Sequence, residues 1–167
     1  MHSTRRCDYL GLLCLRNVYE TPTSYAELPP ARIPPDLLDI LFQPRFTIEA
    51  DATHGRPGKS EPVALLWGAR SRPYLRIDTG FTEAIPGDSA AGDALAAITD
   101  VLEQAQHPIT LRPGDGLFID NHLAAHGRPP FQARYDGTDR WLKRVSVTRD
   151  LRRSRELRAC ASSRVLG

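Results

Sequence analysis

Leu111–Arg144 reads LRPGDGLFIDNHLAAHGRPPFQARYDGTDRWLKR, a block in which His, Asp and Arg crowd around short apolar runs. Pro113-Gly114-Asp115 has the composition of a tight turn, which places Gly116–Asp120 on a strand and lets Asn121–His126 leave its end. Trp141, Val145 and Val147 mark Arg140–Asp150 as a final strand. Arg140 and Arg144 are four residues apart on it, an even spacing that puts both guanidinium forks on one face, where they can pair with carboxylates. Turn chemistry accounts for Asp115 and strand-end capping for Asp120.

Upstream, Asp8–Arg16 (DYLGLLCLR) is a short apolar run bounded by charge and lacking caps, which predicts a buried strand. Thr21–Ser24 offers capping hydroxyls before Tyr25–Leu28, and Pro34-Pro35-Asp36 opens Leu37–Phe42, so two short helices are expected there. Arg45–Ala50, Val63–Trp67 and Tyr74–Asp78 read as strands, with a turn at Arg70–Pro73 and a polar loop at His54–Pro62. Leu95, Ile98, Val101 and Leu102 give Ser89–Gln106 the spacing of an amphipathic helix started by Gly87-Asp88-Ser89. The expected class is mainly β with helices, an α+β arrangement. Residues 1–167 form one domain in this reading, with 151–167 as a frayed Arg-rich tail.

The totals exclude several classes. The 22 basic and 20 acidic residues leave a net charge of +2, so no global field points to nucleic acid or a membrane. Cys7, Cys14 and Cys160 lack the spacing of a disulfide framework or a zinc site, which favours a reducing cytoplasm. The apolar run near the N-terminus is too short for a membrane span or signal peptide. The run Arg149–Arg158 has no interleaved aromatic platform, so a solvated tail is preferred over a nucleic-acid contact.

These residues resemble the clavaminate synthase-like, taurine dioxygenase-type branch of the iron(II)- and 2-oxoglutarate-dependent oxygenases, which includes amino-acid β-hydroxylases. The resemblance rests on His126-Gly127-Arg128, then Pro130-Phe131, then Arg134–Arg144 as R-Y-D-G-x-D-R-W-L-x-R. It implies part of a double-stranded β-helix, jelly-roll or cupin-like, and a chemistry that uses Fe(II), 2-oxoglutarate and dioxygen on a free or carrier-linked amino acid.

It also implies roles. His126 would hold metal, Arg140 the distal carboxylate of 2-oxoglutarate, and Arg144 a carboxylate of the co-substrate or the amino acid. Thr23, in Pro22-Thr23-Ser24, matches a threonine that touches the co-substrate. Asp78, in Arg76-Ile77-Asp78, matches an acidic position facing a substrate nitrogen. His54, His107 and His122 are assigned no metal.

The resemblance departs from the family at one place. The first two iron ligands belong to an H-x-[DE] motif upstream of the strand corresponding to Asp8–Arg16, which the alignment puts before Met1; His2-Ser3-Thr4 does not replace it. A partner chain supplying that part is therefore one expectation. An inactive remnant or subunit of such an oxygenase is a second reading, and a small nucleic-acid binder a remote third.

Overall fold

The computed structural model describes residues 6–49, 59–130 and 132–163. The readings placed on His2-Ser3-Thr4, His54 and Phe131 lie outside the described residues.

Strand β1 (Tyr9–Arg16) is the middle of a three-stranded antiparallel sheet, with β8 (Gly116–Asp120) on one side and β10 (Trp141–Val147) on the other. Its register sets Leu12 opposite Arg144 on β10 and Leu117 on β8. Successive side chains alternate between faces, so the continuous apolar run splits. Leu10 and Cys14 are buried on the inner face, while Leu13 is exposed on the outer one. On that outer face Gly11 lies beneath Val145 and Phe118, and a Cβ there would come within 2.7 Å of Val145 Cγ1.

A second sheet has β2 (Thr23–Glu27) between β7 (His107–Ile109) and β9 (Ala124–Gly127), with Tyr25 opposite both His107 and His126. The sequence reading expected a short helix at Tyr25–Leu28; the segment is a strand instead. Pro29 and Pro30 leave only a few residues for a helix, too few to repay nucleation, whereas two waiting strand edges satisfy the backbone at once.

Two two-stranded antiparallel pairs follow, β3 (Phe46–Ile48) with β6 (Thr82–Ala84) and the hairpin β4 (Leu66–Ala69) with β5 (Arg72–Leu75). The last pair corrects the expected Val63–Trp67 and Tyr74–Asp78. A two-residue turn at Arg70-Ser71, with Gly68 at φ +84°, draws the pairing towards the turn. Val63 instead bridges to Phe46, and Arg76 donates its N–H to Leu65 at 2.8 Å.

Helix α1 (Pro35–Leu41) starts with proline in its first turn, as expected, and packs on α2 (Ser89–Gln104). Asp88 caps α2 by accepting from Ala91 N at 3.0 Å, and Arg45 holds the Asp88 carboxylate from the side at 2.6 Å. The core gathers Leu41, Phe46, Leu65, Leu66, Ala91, Ala94 and Ile98, all fully buried. The architecture is mainly β with a few helices.

Leu151–Leu157, expected to fray, forms a 3-10 helix. Asp150 caps it through Arg152 N at 3.0 Å, and the buried Asp8 carboxylate accepts Arg149 N at 2.8 Å just before it. The Asp8 anchor is non-local, and a polar composition does not disclose it. Among the described residues no helix is long and apolar enough to cross a membrane.

Ile98→Ala truncates a fully buried side chain of α2 in the core. Urea unfolding of this variant is expected to show a loss of about 2–5 kcal/mol; a loss below about 1 kcal/mol would mean that the core is not packed as described.

Candidate functional site

A cleft of about 570 Å3 lies between the two three-stranded sheets. Leu10, Leu12, Leu142 and Arg144 reach it from β1 and β10, and Thr23, Tyr25 and His126 from β2 and β9. Asp78, beyond the end of β5, and Arg140, at the entry to β10, complete the wall. All five residues singled out in the sequence, Thr23, Asp78, His126, Arg140 and Arg144, therefore line one cavity, although they span more than a hundred positions.

His126 is carried by β9 rather than at the free end of β8, as the sequence reading had it. Asp120 closes the turn between the two strands by accepting His122 N at 2.9 Å. The Nδ1 atom of His126 is buried and has no hydrogen-bond partner. Burial first, and then the nearby Arg144 charge, hold its pKa below the ordinary histidine value, against the opposing pull of Asp78. The neutral ring is the form able to donate a lone pair.

Arg140 precedes β10, because the strand begins only at Trp141. Its orientation comes from the loop before it. The Asp139 carboxylate accepts Arg134 N at 3.1 Å and Tyr135 N at 2.8 Å, and Arg16 Nε donates to the Asp139 carbonyl at 2.9 Å. From that fixed point Arg140 Nη2 donates to Thr23 Oγ1 across the cleft. Its Nε is buried and unpartnered. Burial, then the charge of Arg128, lowers its pKa, yet a guanidinium keeps its proton at neutral pH. A half-buried cation with an idle buried donor can be matched by an anionic acceptor.

Arg144 stands opposite Leu12 on the same sheet. Asp78 is oriented by its own short loop: its N–H donates to Thr82 Oγ1 at 3.1 Å, and its Oδ1 accepts Gly80 N at 3.3 Å. The cleft also contains residues that carried no role in the sequence reading, notably Arg6, Asn121 and Glu103. Arg128 belonged to the quoted motif, but without a function. Nothing local marks Arg6, whose burial lowers its pKa to about 10. His122, assigned no metal in the sequence reading, packs edge-on against Trp67 and Tyr74.

No cluster of three or more His, Cys, Asp or Glu able to hold a metal occurs among the described residues. They offer iron one imidazole, which does not make a complete site. A dicarboxylate fits better, because Arg140, Thr23 and Arg144 share the cleft and an Arg140 donor stands idle.

Comparison with known proteins gives a consistent result. Residues 8–146 match the family described as taurine catabolism dioxygenase TauD, TfdA. The chain is 38% identical to the enduracididine beta-hydroxylase of Streptomyces hygroscopicus and 36% identical to the L-ornithine/L-arginine 3-hydroxylase of Catenulispora acidiphila, in each case over 96% of this chain and 54% of the relative. Among solved structures, the non-heme iron oxygenase OrfP in complex with Fe and alpha-ketoglutaric acid superposes with a TM-score of 0.88 at 47% identity, over 99% of this chain and 52% of that one. OrfP has also been crystallised with Fe and L-canavanine. The chain spans about half the length of the relatives it matches.

The depressed histidines have a consequence for stability. His122 and His126 both resist protonation when folded, whereas the unfolded chain takes up protons at the ordinary value of about 6.5. Unfolding free energy should therefore be flat above about pH 7 and fall as pH drops through and below the unfolded value. His126→Asn should reduce that slope in denaturation curves between about pH 5 and 7; an unchanged slope would contradict a depressed His126.

Proposed function

The chain belongs to the taurine catabolism dioxygenase TauD, TfdA family, and from that premise we propose that it forms the co-substrate-clamping part of an iron(II)- and 2-oxoglutarate-dependent oxygenase acting on a free or carrier-linked amino acid. The observation that carries this reading is the Arg140–Thr23 contact, set in the cavity that also holds Arg144, Asp78 and His126. The two sheets around that cavity would then be part of a double-stranded β-helix of the jelly-roll type. Likeness to OrfP supports this, since alignment covers nearly the whole of this chain.

Each residue has a stated task. Arg140, steadied by Thr23, takes the distal carboxylate of 2-oxoglutarate, and its planar fork allows two parallel charge-assisted hydrogen bonds. Arg144 receives a carboxylate of the amino acid or of the co-substrate. Asp78 faces the amino or side-chain nitrogen of the amino acid. His126 supplies one neutral imidazole towards iron. The other metal donors lie outside the described residues in this reading, in line with the expected H-x-[DE] segment, whether on this polypeptide or a partner.

Apolar Leu10, Leu12 and Leu142 line the same wall and keep water from the reacting carbon. Soluble, cytoplasmic action suits three unpaired cysteines. A second reading is a non-catalytic subunit that keeps the dicarboxylate cleft. It draws on the lack of a three-donor cluster among the described residues.

Calorimetric titration with 2-oxoglutarate tests the clamp without requiring turnover. The wild-type chain should bind it, and Arg140→Ala should weaken binding by about tenfold to a hundredfold, the worth of a charge-assisted hydrogen bond, with its melting temperature retained. No binding by the wild-type chain, or wild-type affinity in Arg140→Ala, would overturn the reading. Succinate release when Fe(II) and an amino acid are added would decide for the enzyme over the non-catalytic subunit.

A further inference from the structure

Three features left idle by this function converge on one place: Arg6, His122 and the Arg-rich C-terminal run. The Arg6 guanidinium lines the cleft, donates through Nη2 to the Leu75 carbonyl, and lies 3.1 Å from His122 Nδ1. On the far side of the ring, His122 Nε2 faces Asp8 Oδ1 at 3.5 Å. Asp8 is nearly fully buried, and it also accepts Arg149 N at 2.8 Å, Thr148 Oγ1 at 3.1 Å and Arg153 Nη1 at 3.4 Å.

The chemistry of this row fixes its protons. A guanidinium has donors only, so the His122 Nδ1 it approaches must be a lone-pair acceptor. The ring proton then sits on Nε2, on the side of the ring that faces the Asp8 carboxylate. The row alternates cation, neutral ring and anion, and each partner fixes its neighbour's orientation. Trp67 packs the arrangement from the side, with the Arg6 guanidinium 5.2 Å from its ring centre and His122 edge-on to it.

The Arg6 end and the middle of the row reach functional segments. Leu75 is held twice, by Arg6 at its carbonyl and by His122 O at its N–H, the latter at 2.7 Å. Three residues after Leu75 comes Asp78, and four after His122 comes His126. A guanidinium at position 6 therefore ties the Asp78 wall to the turn that leads into β9.

We propose that Asp8, His122 and Arg6 form a polar row that makes Arg6 a positioning residue for Asp78, with the 3-10 helix Leu151–Leu157 as its outer anchor. The row sets where the amino-acid ligand sits relative to His126, without touching the 2-oxoglutarate clamp at Arg140. Its effect on a ligand rests on the function proposed above; the row itself does not.

Nitrogen-15 NMR of the full chain, with L-arginine and 2-oxoglutarate as probes, tests both layers. His122 should show the neutral Nε2-protonated tautomer at pH 7, and Arg6→Gln should shift the amides of Arg76 through Asp78 while leaving those of α2 in place. A Nδ1-protonated or doubly protonated His122, or unmoved Arg76–Asp78 amides in Arg6→Gln, would overturn the row. Where the wild-type chain binds both probes, Arg6→Gln should weaken L-arginine by about tenfold, the order expected for a lost positioning hydrogen bond, and leave 2-oxoglutarate within about twofold. Equal loss of both would show general unfolding of the site and reject the positioning role. Failure of the wild-type chain to bind either probe would count against the proposed function alone, with the tautomer and the amide shifts still deciding the row.

Discussion

The pairing of β1 with β8 on one edge and β10 on the other is the constraint on which the site depends. The chain segment after β8 carries His126, and β10 carries Arg144 with Arg140 at its mouth. Neither segment could reach the other without the strand between them, and β1 is long and apolar enough to serve as that strand. Its alternation sends Leu10, Leu12 and Cys14 inward. The same period sends Arg144, opposite Leu12, to the cleft side. A one-residue slip in this ladder would turn Arg144 to the outer face.

Charge is the second theme. The cleft is lined by Arg6, Arg128, Arg140 and Arg144 against Asp78 and Glu103. Arg128 and Arg144 are exposed, whereas Arg6 and Arg140 are half-buried, and partly burying like charges opposes folding unless something anionic joins them. Arg140 Nε and His126 Nδ1 are buried polar atoms without partners, and such groups weaken a fold by about 1–3 kcal/mol each. A fold shaped only for stability would fill those positions with apolar side chains. In the proposed function, ligands would complete these idle atoms.

Much of this could be read in the sequence, for identifiable reasons. Strand β1, helix α2 and the Pro113–Asp120 turn and strand are specified by local pattern, and each formed near its expected bounds. The motif from His126 to Arg144 marked residues that do share a cleft. Strand β2 was misread because its identity comes from β7 and β9, which are distant in sequence, while its hydroxyl residues resemble a helix cap. The β4–β5 hairpin was displaced because a two-residue turn, rather than the apolar runs, sets its register. Arg6 and His122 carried no signal, since their meaning arises only when Leu75 and Asp8 stand beside them. The polar composition of Leu151–Leu157 hid its anchorage for the same reason.

The central claim is that this chain holds a dicarboxylate between Arg140 and Thr23. A crystal structure of the chain grown with 2-oxoglutarate tests it most directly. The account predicts density for the co-substrate in the cleft, with its distal carboxylate on the Arg140 guanidinium and Thr23 Oγ1. An empty cleft at saturating ligand, or 2-oxoglutarate bound away from Arg140, would contradict it.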